Sequence, residues 1–548
     1  MINFRLWDDK KAMTQLRPAL QSDAEFSPAA VAGTHSSGVS RSEQPTPRGL
    51  GRLRVFRSLS AVATGTVGTC LISLAAMGAG GVLVHDPVIS DTSFTWIRFG
   101  HGRDLASALL YIGIALLVLA WVRLGRDVRN RLVGMRGVMT AITAWSAPLL
   151  VAPPLFSRDI YSYLAQGALA LHGMDPYKVG PSAMPGPLAD NVSAVWQNTP
   201  APYGPLFVIV AKATVWLTGD SLIFGVLVLR LVMFGGLAML CWSMPGLARH
   251  LGGRGATALW ITAANPLILV HLVGGPHNDI LMIGFLAAGM LLALDHRFVP
   301  AIVLITLGAA VKATAALALP FVVWMWAATM IGGSLRQRFA LSAVLGGLIS
   351  IGTFTVTSIA AGVDLGWISA LKVSSIVVNW LSVPTAMGQI LHSVVGVFHD
   401  YREEPFVSAG RSIGYLVLGA VMIWQWWLAR VGGVESVKRA GMVLLAVAAL
   451  SPTTFPWYFT WSLVLAAGFA WSTTALLCST FMTVLLMLVT YPTGNSALYD
   501  WGFMATAAIA AMLAAFSVLQ EDPLGLRRPR NSPASPELGG ALPLNVRG

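Results

Sequence analysis

Charge is what this chain has least of. Only 11% of its 548 residues are Asp, Glu, Lys or Arg, where soluble domains carry roughly 25%, so a soluble globular protein is excluded. Acidic residues are the scarcer kind, 24 against 36 basic, which leaves a net charge of +12. The positive charge is spread over short loops and tails instead of one basic face, which excludes a nucleic-acid partner. Cysteine is nearly absent. Cys70, Cys241 and Cys478 each lie inside an apolar run, and their odd number and wide spacing exclude a disulfide framework, a zinc motif and a redox pair. They are expected to be small buried hydrophobes. No cleavable signal peptide is visible, since the first long apolar run begins only near Ser60. No internal repeat is visible.

What fills the chain is hydrocarbon. Hydrophobic residues make up 55% and mean hydropathy is +0.68, which identifies an all-α polytopic membrane protein. Residues 1–58 read as a disordered, basic cytoplasmic arm, 59–520 as the transmembrane domain and 521–548 as a cytoplasmic tail. Apolar runs and basic loops predict about 12–14 crossings with both ends inside. In that topology the inner segments hold 26 of the 36 Lys and Arg residues, as the positive-inside rule requires. Residues 157–220 form a first large outer loop, whose stretch 205–217 is expected to lie as an interfacial helix. Residues 362–409 form a second, with one amphipathic helix. Residues 299–332 read as a hairpin with Lys312 near its turn. Four polar clusters then share the outer side: SRDIYSY from Ser157, APYGP from Ala201, GGPHND from Gly274 and SPTTFPWY from Ser451.

The chemistry rests on these clusters. An apolar run from about Val138 to Phe156 delivers Arg158, Asp159, Tyr161 and Tyr163 where a helix leaves the bilayer. A helix end with tyrosine anchors is the bland reading; a catalytic carboxylate at the membrane surface is the sharper one. Arg230 and Lys312 lie in spans and need anionic partners. For Lys312 a phosphate and the Asp279 carboxylate are both open; for Arg230 the partner is Asp159, Asp279 or a phosphate. His277, Asn278 and Asp279 are too few acids and imidazoles to argue a metal site and suit binding an acceptor or orienting a sugar ring or the base. Outside the cytoplasmic membrane there are no nucleotide sugars, so an enzyme there needs a donor carried by lipid. A polyprenyl phosphate sugar leaves as an anion that a cation stabilises, and one carboxylate base assists the acceptor hydroxyl. Of the outer acids, Asp159 and Asp279 stand at span ends among polar neighbours, and Asp159 is the choice for the base, with Tyr161 and Arg158 to position it and a rigid helix behind.

The stretches FSRDIYSYLAQGAL with MDPY, APYGPLF, NPLILVHLVGGPHND, AVKATA, VPTAMG and PWYFTW, in that order over about residues 60–510, resemble the polyprenyl-phosphomannose-dependent α-(1→6)-mannopyranosyltransferases of mycobacteria and corynebacteria, which build the mannan core of lipomannan and lipoarabinomannan. The resemblance implies a GT-C glycosyltransferase with Asp159 as the acid of its first outer loop, a β-linked lipid-phosphate donor, inversion, and an α-linked product made on a lipid-anchored mannan at the periplasmic face. Lys312, Arg230 and Arg158 are then the expected donor-phosphate ligands. Tyr161, Tyr163, Tyr203, His277, Asn278, Asp279, Trp457 and Tyr458 are the expected acceptor and sugar contacts. No cofactor and no metal are expected. Two branches of the family extend the proximal and the distal mannan, and the long basic arm leans the reading to the proximal one. A secondary transporter, or a polyprenyl-lipid binding or flipping protein without chemistry, is the competing reading; neither needs Asp159.

Overall fold

The computed structural model describes residues 48–520 except 82, 90 and 91, together with residue 523, and the side chains among them other than those of 48–59 and 374. The chain divides into two units between Gly51 and Arg52, and the second holds the helical body. Among the described residues all regular structure is helical, save two isolated antiparallel bridges, Gly252 with Phe469 and Thr490 with Ser496. In order, the helices that matter are α1 (Arg48–Ala79), α2 (Gly100–Arg129), α3 (Met135–Leu150), α4 (Asp159–Leu171), α5 (Pro205–Thr218), α6 (Leu222–Leu251), α7 (Gly255–Ile261), α8 (Asp279–Leu294), α9 (Phe298–Val311), α10 (Leu319–Thr329), α11 (Leu335–Ala361), α12 (Val383–Gly396), α13 (Glu403–Leu428), α14 (Gly433–Leu450), α15 (Phe459–Ala466), α16 (Thr473–Leu488) and α17 (Trp501–Leu519).

Six helical stretches are long and apolar enough to cross a membrane, and seven if the π-helical turn Ile268–Gly274 and α8, bent by 114°, count as one span. The chain is an all-α membrane protein with fewer unbroken crossings than the 12–14 expected. The difference lies in helix breaks that hydropathy does not register. Pro153-Pro154 follow the end of α3, Lys312 in extended conformation separates α9 from the 3-10 turn Ala313–Ala318, and Gly468 follows α15. Two boundaries also move. Helix α1 begins at Arg48, inside the stretch expected to be a disordered arm, where Leu50, Leu53 and Phe56 recur at helical spacing. The rest of the arm, and the expected tail apart from residue 523, lie outside the described residues. Helix α13 begins at Glu403, so the loop expected to be the second outer one ends earlier, and its amphipathic helix is α12. The stretch at 205–217 is a helix as expected, and α5 packs against α4, α6, α9 and α11. Cys70 and Cys478 are exposed on their helices and Cys241 half-buried, not core residues as expected; all three are free.

Close packing fixes the centre. A Cβ at Gly236 of α6 would meet the Ile280 carbonyl of α8 at 2.5 Å, and one at Gly284 would meet the Gly236 carbonyl at the same distance. Two helices in such backbone contact tolerate nothing larger than glycine there. Nearby, the Trp121 and Trp260 indoles stack at 4.9 Å, and each donates its Nε1–H to the other's carbonyl, locking α2 to α7.

Candidate active site

The site is built from helix starts. Helix α3 stops at Leu150, and the chain then runs irregularly to Phe156, which is buried with φ +64°. A bulky residue in the left-handed region is strained; the Phe156 amide is held there by a bond to the Pro492 carbonyl. The chain resumes with Asp159 as the first residue of α4. Asp279 opens α8 in the same way. Acidic residues suit helix N-termini, where free N–H groups and the helix dipole face them.

From Asp159 the spacing i, i+3, i+4, i+7 puts Ser162, Tyr163 and Gln166 on the same face of α4, and these four line one wall of a cavity of about 290 Å³. The APYGP loop supplies Pro202 and Tyr203, the start of α8 Asp279, and the break after α9 Lys312. Trp457, Tyr458 and Trp461 close another side. The four polar clusters read from the sequence thus converge. The loop from Ser451 is pinned from behind: Ser382 and Thr385, in the VPTAMG region, donate to the Ser451 and Pro452 carbonyls at 2.6 and 2.7 Å. The APYGP loop lies so close to α9 that a Cβ at Gly204 would stand 2.5 Å from the Ala310 carbonyl. Burial, and then the Asp159 charge, push the Tyr203 phenol well above its usual range, so it stays a neutral hydrogen-bonding group.

The two carboxylates differ in company. Asp279 has a side chain 1% exposed, accepts from Lys312 Nζ on both oxygens at 2.9 and 2.8 Å, and accepts from the Trp461 indole at 2.7 Å. Asp159 is 22% exposed and opens to the cavity. His277 Nε2 stands 3.6 Å from its Oδ2, short of a hydrogen bond, and has no other partner. His277 Nδ1 lies 2.6 Å from the His271 carbonyl. A carbonyl only accepts, so Nδ1 carries the hydrogen and Nε2 is left facing Asp159. The ring is held against Trp457, centroids 3.8 Å apart. Lys312 is 16% exposed and lies 4.6 Å from the Tyr458 ring centroid and 5.3 Å from that of Trp461.

His277, expected as an acceptor contact, is enclosed and does not line the cavity, and four further expected contacts are placed elsewhere. Arg230 is buried on α6 and donates to the carbonyls of Leu150, Ala152 and Gly274 at 2.7, 2.7 and 3.1 Å. It satisfies the open carbonyls beyond the ends of α3 and the π-helical turn, which leaves it out of donor binding. Arg158 and Tyr161 lie on the other side of the first turn of α4, in a separate small cleft with Arg98 and Pro492. They do not flank Asp159, nor does a rigid helix stand behind it; His277 stands next to it instead. Asn278 is fully enclosed, both its amide atoms without a partner, and does not line the cavity. Trp461 and Gln166 are among the cavity residues that sequence reading missed, as are Trp196 and Tyr415. The four-residue spacing from Trp457 and the seven-residue spacing from Asp159 carried the signal. Among the described residues no three His, Cys, Asp or Glu side chains gather.

Comparison with known proteins identifies the family. The family description "Alpha-(1->6)-mannopyranosyltransferase, N-terminal domain" matches residues 62–328, and "MptB C-terminal domain" matches 384–520. The chain is 40% identical over 462 residues to alpha-(1->6)-mannopyranosyltransferase A of Mycobacterium tuberculosis, covering 84% of this chain and 89% of that protein. It is 32% identical to the protein of the same name from Corynebacterium glutamicum, covering 84% and 99%, and 29% identical to alpha-(1->6)-mannopyranosyltransferase B of that organism, covering 74% and 72%. No solved structure matches. At 40% identity over most of both lengths, the chain belongs to the α-(1→6)-mannopyranosyltransferase family.

Proposed function

We propose that this mannosyltransferase moves mannose from a polyprenyl-phosphate-mannose donor to a growing, lipid-anchored α-(1→6)-mannan on the periplasmic face of the plasma membrane, by one inverting displacement in a GT-C type fold. One observation carries the reading: a single cavity holds an accessible carboxylate, Asp159, together with an ammonium, Lys312, that is fixed by Asp279. Two of the three ammonium N–H donors serve Asp279, leaving one for a phosphate oxygen. The acceptor hydroxyl oxygen attacks the anomeric carbon as its bond to the phosphate oxygen breaks, with the electron pair leaving on the phosphate. Lys312 stabilises that charge. Asp159 takes the hydroxyl proton, and the lone pair of His277 Nε2 is the next acceptor behind it.

The lipid tail has a place to go. The 3-10 turn after Lys312 puts Ala313 and Thr314 on the polar cavity and Ala316 and Leu317 on a separate apolar groove of about 710 Å³. Pro320, Phe321, Ile351 and Trp426 line that groove. Such a division suits a donor whose head is a sugar phosphate and whose body is hydrocarbon. The greater likeness to relatives named A than to the one named B supports the A branch. The basic arm, from which the lean to the proximal mannan was drawn, lies mostly outside the described residues.

The test is transfer from labelled polyprenyl-phosphomannose to short α-(1→6)-mannosides by the purified enzyme. Asp159→Asn is expected to lose at least ~100-fold in turnover, a positioned base's usual share, while donor binding persists. Near-normal turnover in a folded Asp159→Asn enzyme overturns the assignment. Donor binding without transfer by the wild type favours the lipid-binding alternative. No metal enters the scheme, so activity should persist in EDTA. Full loss, restored by a divalent ion, would bring His277 and Asp279 forward as ligands.

A further inference from the structure

The catalytic cavity is small for its task. At about 290 Å³ it sits at the lower limit of small-ligand sites, room for reacting groups but not for a polymer. A chain that is already long has to leave it by an opening of suitable chemistry. The apolar groove offers hydrocarbon. A second cleft, about 630 Å³, shares Leu371, Tyr415 and Pro452 with the cavity wall and is lined otherwise mostly by polar side chains.

We propose that this second cleft, between the 3-10 turn Leu371–Ile376 and the first half of α13, holds the polymerised part of a neutral glycan acceptor behind the hydroxyl that reacts. The proposal rests on the mannosyl-transfer reading above. Glu404, Ser408, Arg411, Ser412 and Tyr415 follow one another at i, i+4, i+7, i+8 and i+11, one face of one helix, over about 16 Å of rise. The row ends at Tyr415, whose half-exposed ring stands at the junction with the catalytic cavity and offers a flat face to a sugar ring.

The cleft is built to keep its width. Arg411 donates from Nε to Thr385 Oγ1 at 3.0 Å, and from its two terminal nitrogens to the Ser375 and Val377 carbonyls at 2.8 and 2.9 Å. It thereby ties α13 to the opposite wall and to the loop behind Pro452. With Arg411 so engaged, the groups left to meet a ligand are hydroxyls, carboxylates and the exposed Lys372 ammonium. Glu403 accepts from Gln389 and Glu404 pairs with Arg402, both at the surface. A carboxylate has about four acceptor positions, so each still accepts from sugar hydroxyls. Arg411 and Lys372 balance the two carboxylates, so the lining carries no net charge to draw in the donor phosphate or acidic lipid headgroups, and its mixed donors and acceptors suit an uncharged polyol.

The test uses purified full-length enzyme and α-(1→6)-mannosides of one, two and four residues, read by ligand-observed NMR for binding and by transfer for turnover. Ser412→Trp fills the cleft from an exposed position outside the catalytic cavity; Glu404→Gln keeps its shape and removes a charge. Wild type should bind the tetramannoside more tightly than the monomannoside. Ser412→Trp should abolish that difference, raising Kd and KM for the tetramannoside about tenfold, the loss of roughly 1.4 kcal/mol, with the monomannoside within twofold of wild type. Glu404→Gln should shift the same way by less. No length dependence in the wild type, or an equal effect of Ser412→Trp on every length, overturns the cleft assignment. Tighter binding of acidic phospholipid vesicles than of mannosides, lost in Ser412→Trp, overturns it in favour of a headgroup. Length-dependent binding without any transfer leaves the cleft assigned and overturns the transfer reading.

Discussion

Asp159 and Asp279 are the same residue type at the first position of a helix, and their neighbours divide the labour. Asp279 is closed in by an ammonium and an indole, Asp159 is open to the cavity with an imidazole 3.6 Å behind it. Breaking a buried ion pair by removing one partner strands the other charge, at about 3–5 kcal/mol. Asp279→Asn and Lys312→Met should therefore each lower thermal stability in detergent, and the double variant should be more stable than the sum of the two predicts. Additive losses would show that the pair is not coupled. Lys312→Met should also raise the donor concentration needed for half-maximal rate more than the acceptor concentration; an unchanged donor dependence leaves Lys312 a structural partner of Asp279 alone. In the proposed scheme His277 acts only through Asp159. His277→Gln should lower kcat about tenfold with KM little changed, and should cost nothing further in the Asp159→Asn background, since groups acting as a unit are not additive. A further drop in the double variant would give His277 a role of its own. These partners were not legible from adjacency in the sequence. Arg158 and Tyr161 are nearer to Asp159 along the chain than Gln166 is, but a helix turns them to its other side.

At the scale of elements, two close backbone approaches hold the site in register. Gly235 and Gly236 are neighbours on α6 with opposite surroundings: a Cβ at Gly235 meets nothing within 4 Å, and one at Gly236 meets α8 backbone at 2.5 Å. Gly235→Ala should be neutral or stabilising by up to about 1 kcal/mol through the loss of glycine's unfolded freedom. Gly236→Ala should destabilise by about 1–3 kcal/mol as α6 and α8 are forced apart, and it should lower activity because Asp279 opens α8. Similar melting temperatures for the two variants would refute this packing. Gly204 raises the same question nearer the chemistry, since a methyl there pushes the Tyr203 loop off the end of α9, beside Lys312. The helix breaks that place these elements were partly legible, as Pro153-Pro154 and Lys312 are visible interruptions. Where Arg230 finds its acceptors was not: its carbonyls belong to Leu150, Ala152 and Gly274, and a backbone carbonyl left open by a helix end has no signature in side chains.

For the whole molecule, that four distant clusters belong together at helix ends was legible because polar, helix-breaking stretches are costly in a chain this apolar; that they line one cavity was not. Their sidedness is a separate matter, and it rests on the distribution of Lys and Arg. Cys70, Cys241 and Cys478 are all free, so the measurement uses a background with all three cysteines replaced. In that background a cysteine at Ala194, exposed in the turn Ala194–Trp196 of the first large outer loop, should be labelled in whole cells by a membrane-impermeant maleimide. A cysteine at Ser334, the exposed N-cap of α11 two residues before Arg336, should be labelled only after permeabilisation. The sign follows from charge: basic residues near Ser334 are retained on the cytoplasmic side, and one unbroken crossing, α11, separates them from the second outer loop at its other end. The reverse pattern would put the cavity on the cytoplasmic side, where nucleotide sugars are present, and would remove the reason for a lipid-borne donor. It would leave the Asp159 geometry untouched, so sidedness and base assignment fail independently.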